Sequence, residues 1–327
     1  MSKHKAKAFY ATAIIMIFIT LYATNAYSQY NGECWAVDYL NAIKISGNKV
    51  SKFPGFSQPL SISINPNDGS VWVADSDAIR VKKLSTAGKE LFIIDKGFSE
   101  QPISVAVDPK DNSCWVATAS NLFKFSAEGK QIMTKAGFNE PMLVVNPKNS
   151  ECWIADSNNG RIVRLSQDGS QLGIYTIDGV PQPKSISINP EDGTCWIMDP
   201  FTLTVAKISP DGNVLKKTSV SPPGGATMVT SITASSDGGC WVAIIVDFTQ
   251  PNKDIVVKLS ADGKQTASIA GFAMPSTVCF DPKDKGCWVA DSNNGRIVKL
   301  SATGQKVLSL QGFGQPKAVI VVSPMKK

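Results

Sequence analysis

The feature that most constrains this chain is the recurrence of tryptophan. All seven Trp residues lie in one short motif of the general form Cys-Trp-Val-Ala-Asp. Successive tryptophans are 37 to 47 residues apart. A period near 40 residues matches one four-stranded unit of a radially repeated fold. The tryptophans are Trp35, Trp72, Trp115, Trp153, Trp196, Trp241 and Trp288.

The stretch from position 142 to 175 shows how each unit divides. Short strands, here called a, b, c and d, are predicted at 142–145, 152–155, 161–165 and 171–175. Pro, Asn, Asp and Gly separate them and supply the preset or positive φ that turns require. No stretch shows a sustained helical period of 3.6 residues. These patterns predict an all-β chain.

The two ends of the sequence complement each other. The first repeat begins at Tyr30 with strand b and lacks strand a, whereas residues 315–324 form a strand a with no strand b after it. Pairing them completes a seventh unit and removes the exposed edges of an open stack. We therefore predict a single domain at 29–327: an all-β, seven-bladed β-propeller with four antiparallel strands per blade, closed by the C-terminal strand pairing with the N-terminal blade.

The fullest copies of the motif are Asp281–Gly304 and Asn146–Gly169. In them an Asn-Pro or Asp-Pro turn precedes Cys-Trp-Val/Ile-Ala-Asp-Ser-Asn-Asn-Gly-Arg-Ile-Val. This run resembles the NHL repeat, and the resemblance covers essentially all of the chain after its first residues. It implies a propeller of the kind known chiefly as an interaction surface, although related six-bladed propellers include lactonases and lyases. Two copies depart from the motif, with Thr118 and Ile244 in place of the aspartate.

The first 28 residues have the layout of a secretory signal peptide. Three lysines in the first seven positions precede an almost wholly apolar run at 9–23, and small residues follow at Ala26 and Ser28. Cleavage after either residue predicts a secreted or periplasmic protein with no remaining membrane span. An uncleaved segment retained as an anchor is the open alternative.

Charge and histidine content restrict the function. Removing three lysines and no acid from a chain of net charge +6 leaves +3, with no basic cluster, which argues against nucleic-acid binding. The only histidine, His4, lies in the predicted signal segment. Without imidazole, a Ser-His or Cys-His nucleophile and a histidine zinc site are excluded. We predict no catalytic residue, no metal ligand and no cofactor.

The favoured function is a non-enzymatic scaffold that binds a protein partner, such as a non-catalytic subunit of an extracytoplasmic assembly. The alternative is a divalent-metal lactonase or hydrolase of the gluconolactonase type in the central channel, because such sites use carboxylates and amides rather than histidine. The strand-a segments at 61–64 and 185–188 offer only Ser and Ile, and Asp108 and Asp281 lie in turns at the far strand ends.

Two sets of repeated residues have structural interpretations. The motif aspartates are expected to accept hydrogen bonds from turn N–H groups, as in an Asx turn; they are Asp75, Asp156, Asp199 and Asp291. The Cys residues of the Cys-Trp motif are expected to be buried and free. Cys279 and Cys287 lie on neighbouring strands of one hairpin, so a disulfide is possible if the register places them opposite each other.

Two connections break the repeat, at 219–227 and 246–254. Departures from a repeat are where binding function is commonly added. Both should lie on one face, close to the turn at 200–202, which contains Phe201. The candidate partner-binding face therefore consists of Phe201, Pro222, Pro223, Phe248 and Lys253. Loop drift without function is the alternative.

Overall fold

A computed structural model describes residues 33–222, 225–250 and 252–321. The predicted signal segment 1–28 and Pro223 lie outside the described residues. Within them the chain forms seven four-stranded antiparallel sheets, as predicted, and a single turn of 3₁₀ helix at Ser157–Asn159. No helix of the described part is long and apolar enough to cross a membrane.

The strands follow the chain in blades, numbered from the first. Blade 1 contains β1 (Glu33–Val37), β2 (Asn41–Ser46) and β3 (Lys49–Pro54). Blade 2 contains β4 (Pro59–Ile64), β5 (Val71–Asp75), β6 (Arg80–Leu84) and β7 (Glu90–Ile94). Blade 3 contains β8 (Ser104–Val107), β9 (Cys114–Ala117), β10 (Asn121–Phe125) and β11 (Gln131–Ala136). Blade 4 contains β12 (Pro141–Val145), β13 (Cys152–Asp156), β14 (Arg161–Leu165) and β15 (Gln171–Tyr175).

The remaining blades have the same order. Blade 5 contains β16 (Ser185–Ile188), β17 (Cys195–Asp199), β18 (Thr204–Ile208) and β19 (Val214–Ser219). Blade 6 contains β20 (Met228–Ala234), β21 (Cys240–Ile245), β22 (Asp254–Leu259) and β23 (Gln265–Phe272). Blade 7 contains β24 (Pro275–Asp281), β25 (Gly286–Asp291), β26 (Arg296–Leu300) and β27 (Lys306–Gln311). The final strand is β28 (Ala318–Val321).

The ring closes as the sequence predicts. Strand β28 pairs antiparallel with β1, and Ile320 lies opposite Trp35. Blade 1 therefore has the order β28-β1-β2-β3, and its innermost strand comes from a part of the chain more than 260 residues later. The protein is a seven-bladed β-propeller.

The core lies between the blades. Each Trp is almost completely buried and lies directly opposite a Lys or Arg of strand c, whose charged group lies over the indole ring at 5.2–5.9 Å from the centroid. Cation–π contacts of this kind contribute about 0.5–2 kcal/mol each. The basic residues are Lys44, Lys83, Lys124, Arg164, Lys207, Lys258 and Lys299.

The same cations connect neighbouring blades. Lys83 of blade 2 donates to the carbonyl oxygen of Ala127 in blade 3 at 2.8 Å, and Lys124 of blade 3 donates to that of Gln167 in blade 4 at 2.7 Å. Lys299 of blade 7 donates to the carboxylates of Asp281 and Asp284 in its own blade, at 2.8 and 2.7 Å. The Trp–cation pairs of blades 1 to 6 thus also link one blade to the next.

Serines on strand a have a structural role around the channel. Strand a is the inner edge of each sheet, so half of its N–H groups have no partner within the blade. The hydroxyl of Ser63 accepts the N–H of Val107 in the next blade at 3.0 Å, and that of Ser187 accepts the N–H of Ala234 at 2.9 Å. The alternating Ser-Ile pattern therefore satisfies the inner edges of neighbouring blades.

Candidate binding site at the mouth of the central channel

Buried carboxylates fix the loops at one end of the ring. At this end lie the connections from strand d to the next strand a, called d–a connections, and the b–c turns. Asp156 accepts the backbone N–H of Asn139 in the d–a connection at 2.7 Å and Nε of Arg161 at 2.6 Å. Asp75 and Asp291 make the same pair of contacts in blades 2 and 7. We call this end of the ring the mouth.

The donor to these three aspartates differs from the predicted one. The sequence pattern predicted the N–H groups of the turn that follows each Asp, yet the backbone donor comes from the preceding d–a connection. Asp199, which has no Arg at the start of strand c, accepts from both places: from Phe201 and Thr202 of its own turn at 2.9 and 3.0 Å, and from Gln182 at 2.7 Å. All four carboxylates are fully buried.

The two blades without the motif aspartate obtain a carboxylate from elsewhere. In blade 3, Glu100 of the d–a connection accepts the hydroxyl of Thr118 at 2.7 Å and the N–H of Ser120 at 2.9 Å. Hydrogen bonds from Ser120 and Thr118 hold the pKa of Glu100 below its usual value. In blade 6, Asp254 of strand c accepts the N–H groups of Val246 at 2.9 Å and Met274 at 2.6 Å.

A strained backbone position recurs where strand a begins. In four d–a connections the residue before a proline has a positive φ of 49–54°, a conformation that non-glycine residues rarely adopt. These residues are Gln58, Glu140, Met274 and Gln315. Glu140, Met274 and Gln315 all line one cavity. The anchored connections thus place residues of different blades around a common space.

That space is a cavity of about 550 Å³. Glu140 before blade 4 and Lys317 before β28 both line it, so it lies across the ring at the end of the central channel. Its volume falls in the range of about 300–1,000 Å³ that is typical of ligand pockets. Apolar side chains from blades 5 to 7 form one wall: Pro200, Phe201, Met228, Val229, Ile245, Met274 and Pro275. We call it the mouth cavity.

Charged, hydroxyl and amide groups form the rest of the lining. Glu140 and Lys184 make an ion pair at the rim. Lys317 lies with its Nζ 3.5 Å from the amide oxygen of Gln315 and 5.6 Å from the ring centroid of Tyr39. Among the described residues it has no ion pair with a carboxylate. The rim therefore has one pair of opposite charges and one further positive charge.

The structure separates the residues of the predicted partner-binding face. Phe201 lines the mouth cavity and is 68% exposed. Phe248 is also exposed, at 56%, but it does not line the cavity, and neither do Pro222 and Lys253. Met228, Met274 and Lys317 also line the cavity and were not predicted from the sequence. The signal that could have found the last two is their position beside the proline that precedes each inner strand.

The predicted cysteine pair does not meet. In the β24–β25 hairpin Cys279 lies opposite Trp288, and Cys287 lies opposite Phe280. Because side chains alternate along a strand, the two sulfurs are on opposite faces of the sheet. All seven cysteines are free, so the possible Cys279–Cys287 disulfide is a wrong prediction for this register. Burial raises the pKa of the Cys279 thiol to about 11.

The alternative of a metal-dependent enzyme has no ligand set to support it in the described part of the chain. No group of three or more His, Cys, Asp or Glu side chains there could hold a metal ion. Asp281 is fully buried and accepts the indole N–H of Trp288 at 3.1 Å as well as Lys299. Asp108 accepts the hydroxyl of Ser150 at 2.8 Å. Both carboxylates therefore form structural hydrogen bonds at the ends of the blades opposite the mouth.

Comparison with known proteins supports the fold and no more. No protein-family model matches the sequence, and none of the curated proteins matches it. Similar solved structures include a functionally unknown protein from Desulfotomaculum acetoxidans, with 14% identity over 90% of this chain and 99% of that chain and a TM-score of 0.73. Virginiamycin B lyase from Staphylococcus aureus has 16% identity, 78% and 84% coverage and a TM-score of 0.65. Kuenenia stuttgartiensis hydrazine synthase has 15% identity, 76% and 78% coverage and a TM-score of 0.64.

Proposed function

We propose that this chain is a secreted, non-enzymatic β-propeller of the NHL-repeat type that binds a protein partner at the mouth cavity and serves as a scaffold. The mouth cavity is the observation that carries the proposal. An apolar wall beside a polar rim is the usual composition of a recognition site. Phe201 is the natural anchor, since exposed aromatic side chains dominate the energetics of interfaces.

The chemistry of the lining favours binding over catalysis. Glu140 is held by Lys184, and the remaining charge, Lys317, lies over the Tyr39 ring. General acid–base catalysis needs a group that can exchange a proton near neutral pH, most often histidine. The sequence offers only His4, inside the predicted signal segment.

Secretion and the NHL repeat belong to the same proposal. The lysine-rich start and the apolar run at 9–23 support export, and the fullest motif copies support the repeat type. Mass spectrometry of protein recovered from outside the cytoplasm checks the first point. We expect an N-terminus just after Ala26 or Ser28, and an intact N-terminus there would contradict cleavage.

The binding proposal is tested with matched variants in an affinity capture from the extracytoplasmic fraction. Phe201→Ala and Met274→Ala remove apolar surface from the mouth cavity. Leu215→Ala removes a similarly exposed apolar side chain, 55% exposed, from β19 on the outside of blade 5. We expect the two mouth variants to lose the captured partner and Leu215→Ala to retain it. Equal capture of the partner by all three variants would contradict the proposal.

A further inference from the structure

We propose that the mouth cavity receives the C-terminal end of a peptide, with apolar side chains against the wall of Phe201 and Met274 and the free carboxylate on Lys317. This inference rests on the proposed function, because it names the chemistry of the partner segment that enters the same cavity. It follows from the charge, the hydrogen-bonding capacity and the apolar surface of the lining.

The charge of the lining favours a single anionic group. Glu140, before blade 4, and Lys184, before blade 5, neutralise each other. Among the described residues of the lining, Lys317 is then the charged group without an ion-pair partner. The Lys317 ammonium has three N–H donors, and its contacts are the Gln315 amide oxygen at 3.5 Å and the Tyr39 ring. A carboxylate would supply the short, charge-assisted hydrogen bonds that these contacts lack.

The hydroxyl groups that line the mouth cavity favour a ligand that donates hydrogen bonds. Thr230 donates to the carbonyl oxygen of Pro275 at 2.6 Å, and both Ser276 and Ser292 donate to that of Pro316, at 2.9 and 2.6 Å. Because each hydroxyl has only one proton, its oxygen can only accept from a molecule in the cavity. Acceptors beside an unmatched cation suit a peptide end, which has backbone N–H groups as well as a carboxylate. A fatty acid has no N–H group to donate.

The apolar wall sets the character of the last residues of the peptide. Met228 and Met274 are partly exposed beside the buried Val229 and Ile245. Methionine is flexible and polarisable, so such a wall accepts aliphatic and aromatic side chains of different shapes. We therefore expect apolar residues at the last positions of the peptide, with little discrimination among them.

The test uses the full chain and two pools of fluorescent heptapeptides with apolar residues at the last two positions. One pool ends in a free acid and the other in a carboxamide. We expect fluorescence anisotropy to show about ten- to hundredfold tighter binding of the acid pool, the effect of a hydrogen bond to a charged group. In Lys317→Met this preference should disappear. Lys264→Met, which removes a highly exposed lysine of a c–d turn, should leave it intact.

Each other outcome has a definite meaning. Equal binding of acid and carboxamide pools overturns the carboxylate assignment, while loss of both in Phe201→Ala would still support binding at the mouth. If decanoate displaces the probe and binds more tightly than the acid pool, the ligand is not a peptide, although the contact between a carboxylate and Lys317 is still supported. If neither pool nor decanoate binds, the inference fails; the capture experiment with Phe201→Ala then decides the proposed function separately.

Discussion

The contacts between the blades are repeated around the ring, whereas the residues at the mouth of the channel differ from blade to blade. Every blade has the Trp–cation pair, and every blade secures its neighbouring connection with a carboxylate, even where the motif aspartate has been replaced by Thr118 or Ile244. The mouth has no such repetition. Glu140, Met274 and Gln315 occupy equivalent positions, yet one is acidic, one apolar and one a neutral amide.

This difference separates residues that hold the ring from residues that face a ligand. A contact repeated in all blades supports packing common to all of them, whereas a site serves one ligand and so has no reason to repeat. Substitutions between the blades should therefore lower the free energy of unfolding, and substitutions at the mouth should change binding alone.

The largest effect is expected for Lys299→Met. Lys299 and Asp281 are both fully buried, so the substitution removes the Lys299 ammonium from beside a buried carboxylate. Breaking a buried ion pair in this way costs about 3–5 kcal/mol. Urea denaturation measures the loss. The matched control is Lys258→Met in blade 6, where the partner Asp237 is half-exposed and a smaller loss is expected. Equal losses would show that burial of the acid does not matter.

A medium effect is expected when the carboxylates of blades 4 and 6 are changed to amides. Asp156→Asn and Asp254→Asn each place an N–H₂ group where a backbone N–H or guanidinium now donates. Losing a buried hydrogen bond of this type costs about 1–3 kcal/mol. Urea denaturation of both variants should give similar losses. A neutral Asp254→Asn would contradict the equivalence of the two carboxylates.

A smaller, pH-dependent effect is expected at Glu100. Because the folded pKa of Glu100 is below its unfolded value near 4.5, its ionised form stabilises the fold above that pH, and this stability is lost as pH falls through the lower folded pKa. The stability difference between wild type and Glu100→Gln should thus be largest near neutral pH and shrink in acid. Urea midpoints across the pH range measure it. A difference that grew in acid would contradict the assignment.

The smallest effect on stability is expected for Phe201→Ala. The side chain is 68% exposed, so its removal should change the free energy of unfolding by less than about 0.5 kcal/mol. Urea denaturation checks this value. A loss comparable with that of Asp156→Asn would mean that Phe201 supports the fold, and the separation between interior and mouth would then fail at its most important residue.

The sequence predicted the ring because its strongest signals are local and periodic. Trp spacing gave the blades, and the unmatched strands at Tyr30 and 315–324 predicted the closure seen between β28 and β1. The Ser-Ile alternation at 61–64 was visible in the sequence, but its purpose requires the neighbouring blade, since the acceptor and donor are 44 residues apart.

The features that were not predicted from the sequence depend on contacts between different loops and strands. Glu100 and Asp254 replace the motif aspartate from a different strand or loop, so alignment of the repeats cannot identify them. Cys279 and Cys287 miss each other by one residue of register, and such a shift moves a side chain to the other face of the sheet. The grouping of Phe201 with Met228 and Met274 requires the curvature of the whole ring.

The pairing of β28 with β1 also has a consequence for folding, because blade 1 cannot be completed before the C-terminal strand is in place. Each of blades 2 to 7 is formed by one contiguous stretch of chain, whereas β1 has an unpaired inner edge until residues 318–321 lie beside it. Before that pairing the edges of β1 and β28 are open to pairing with another chain. We therefore expect the chain to be most exposed to aggregation in the interval before the ring closes.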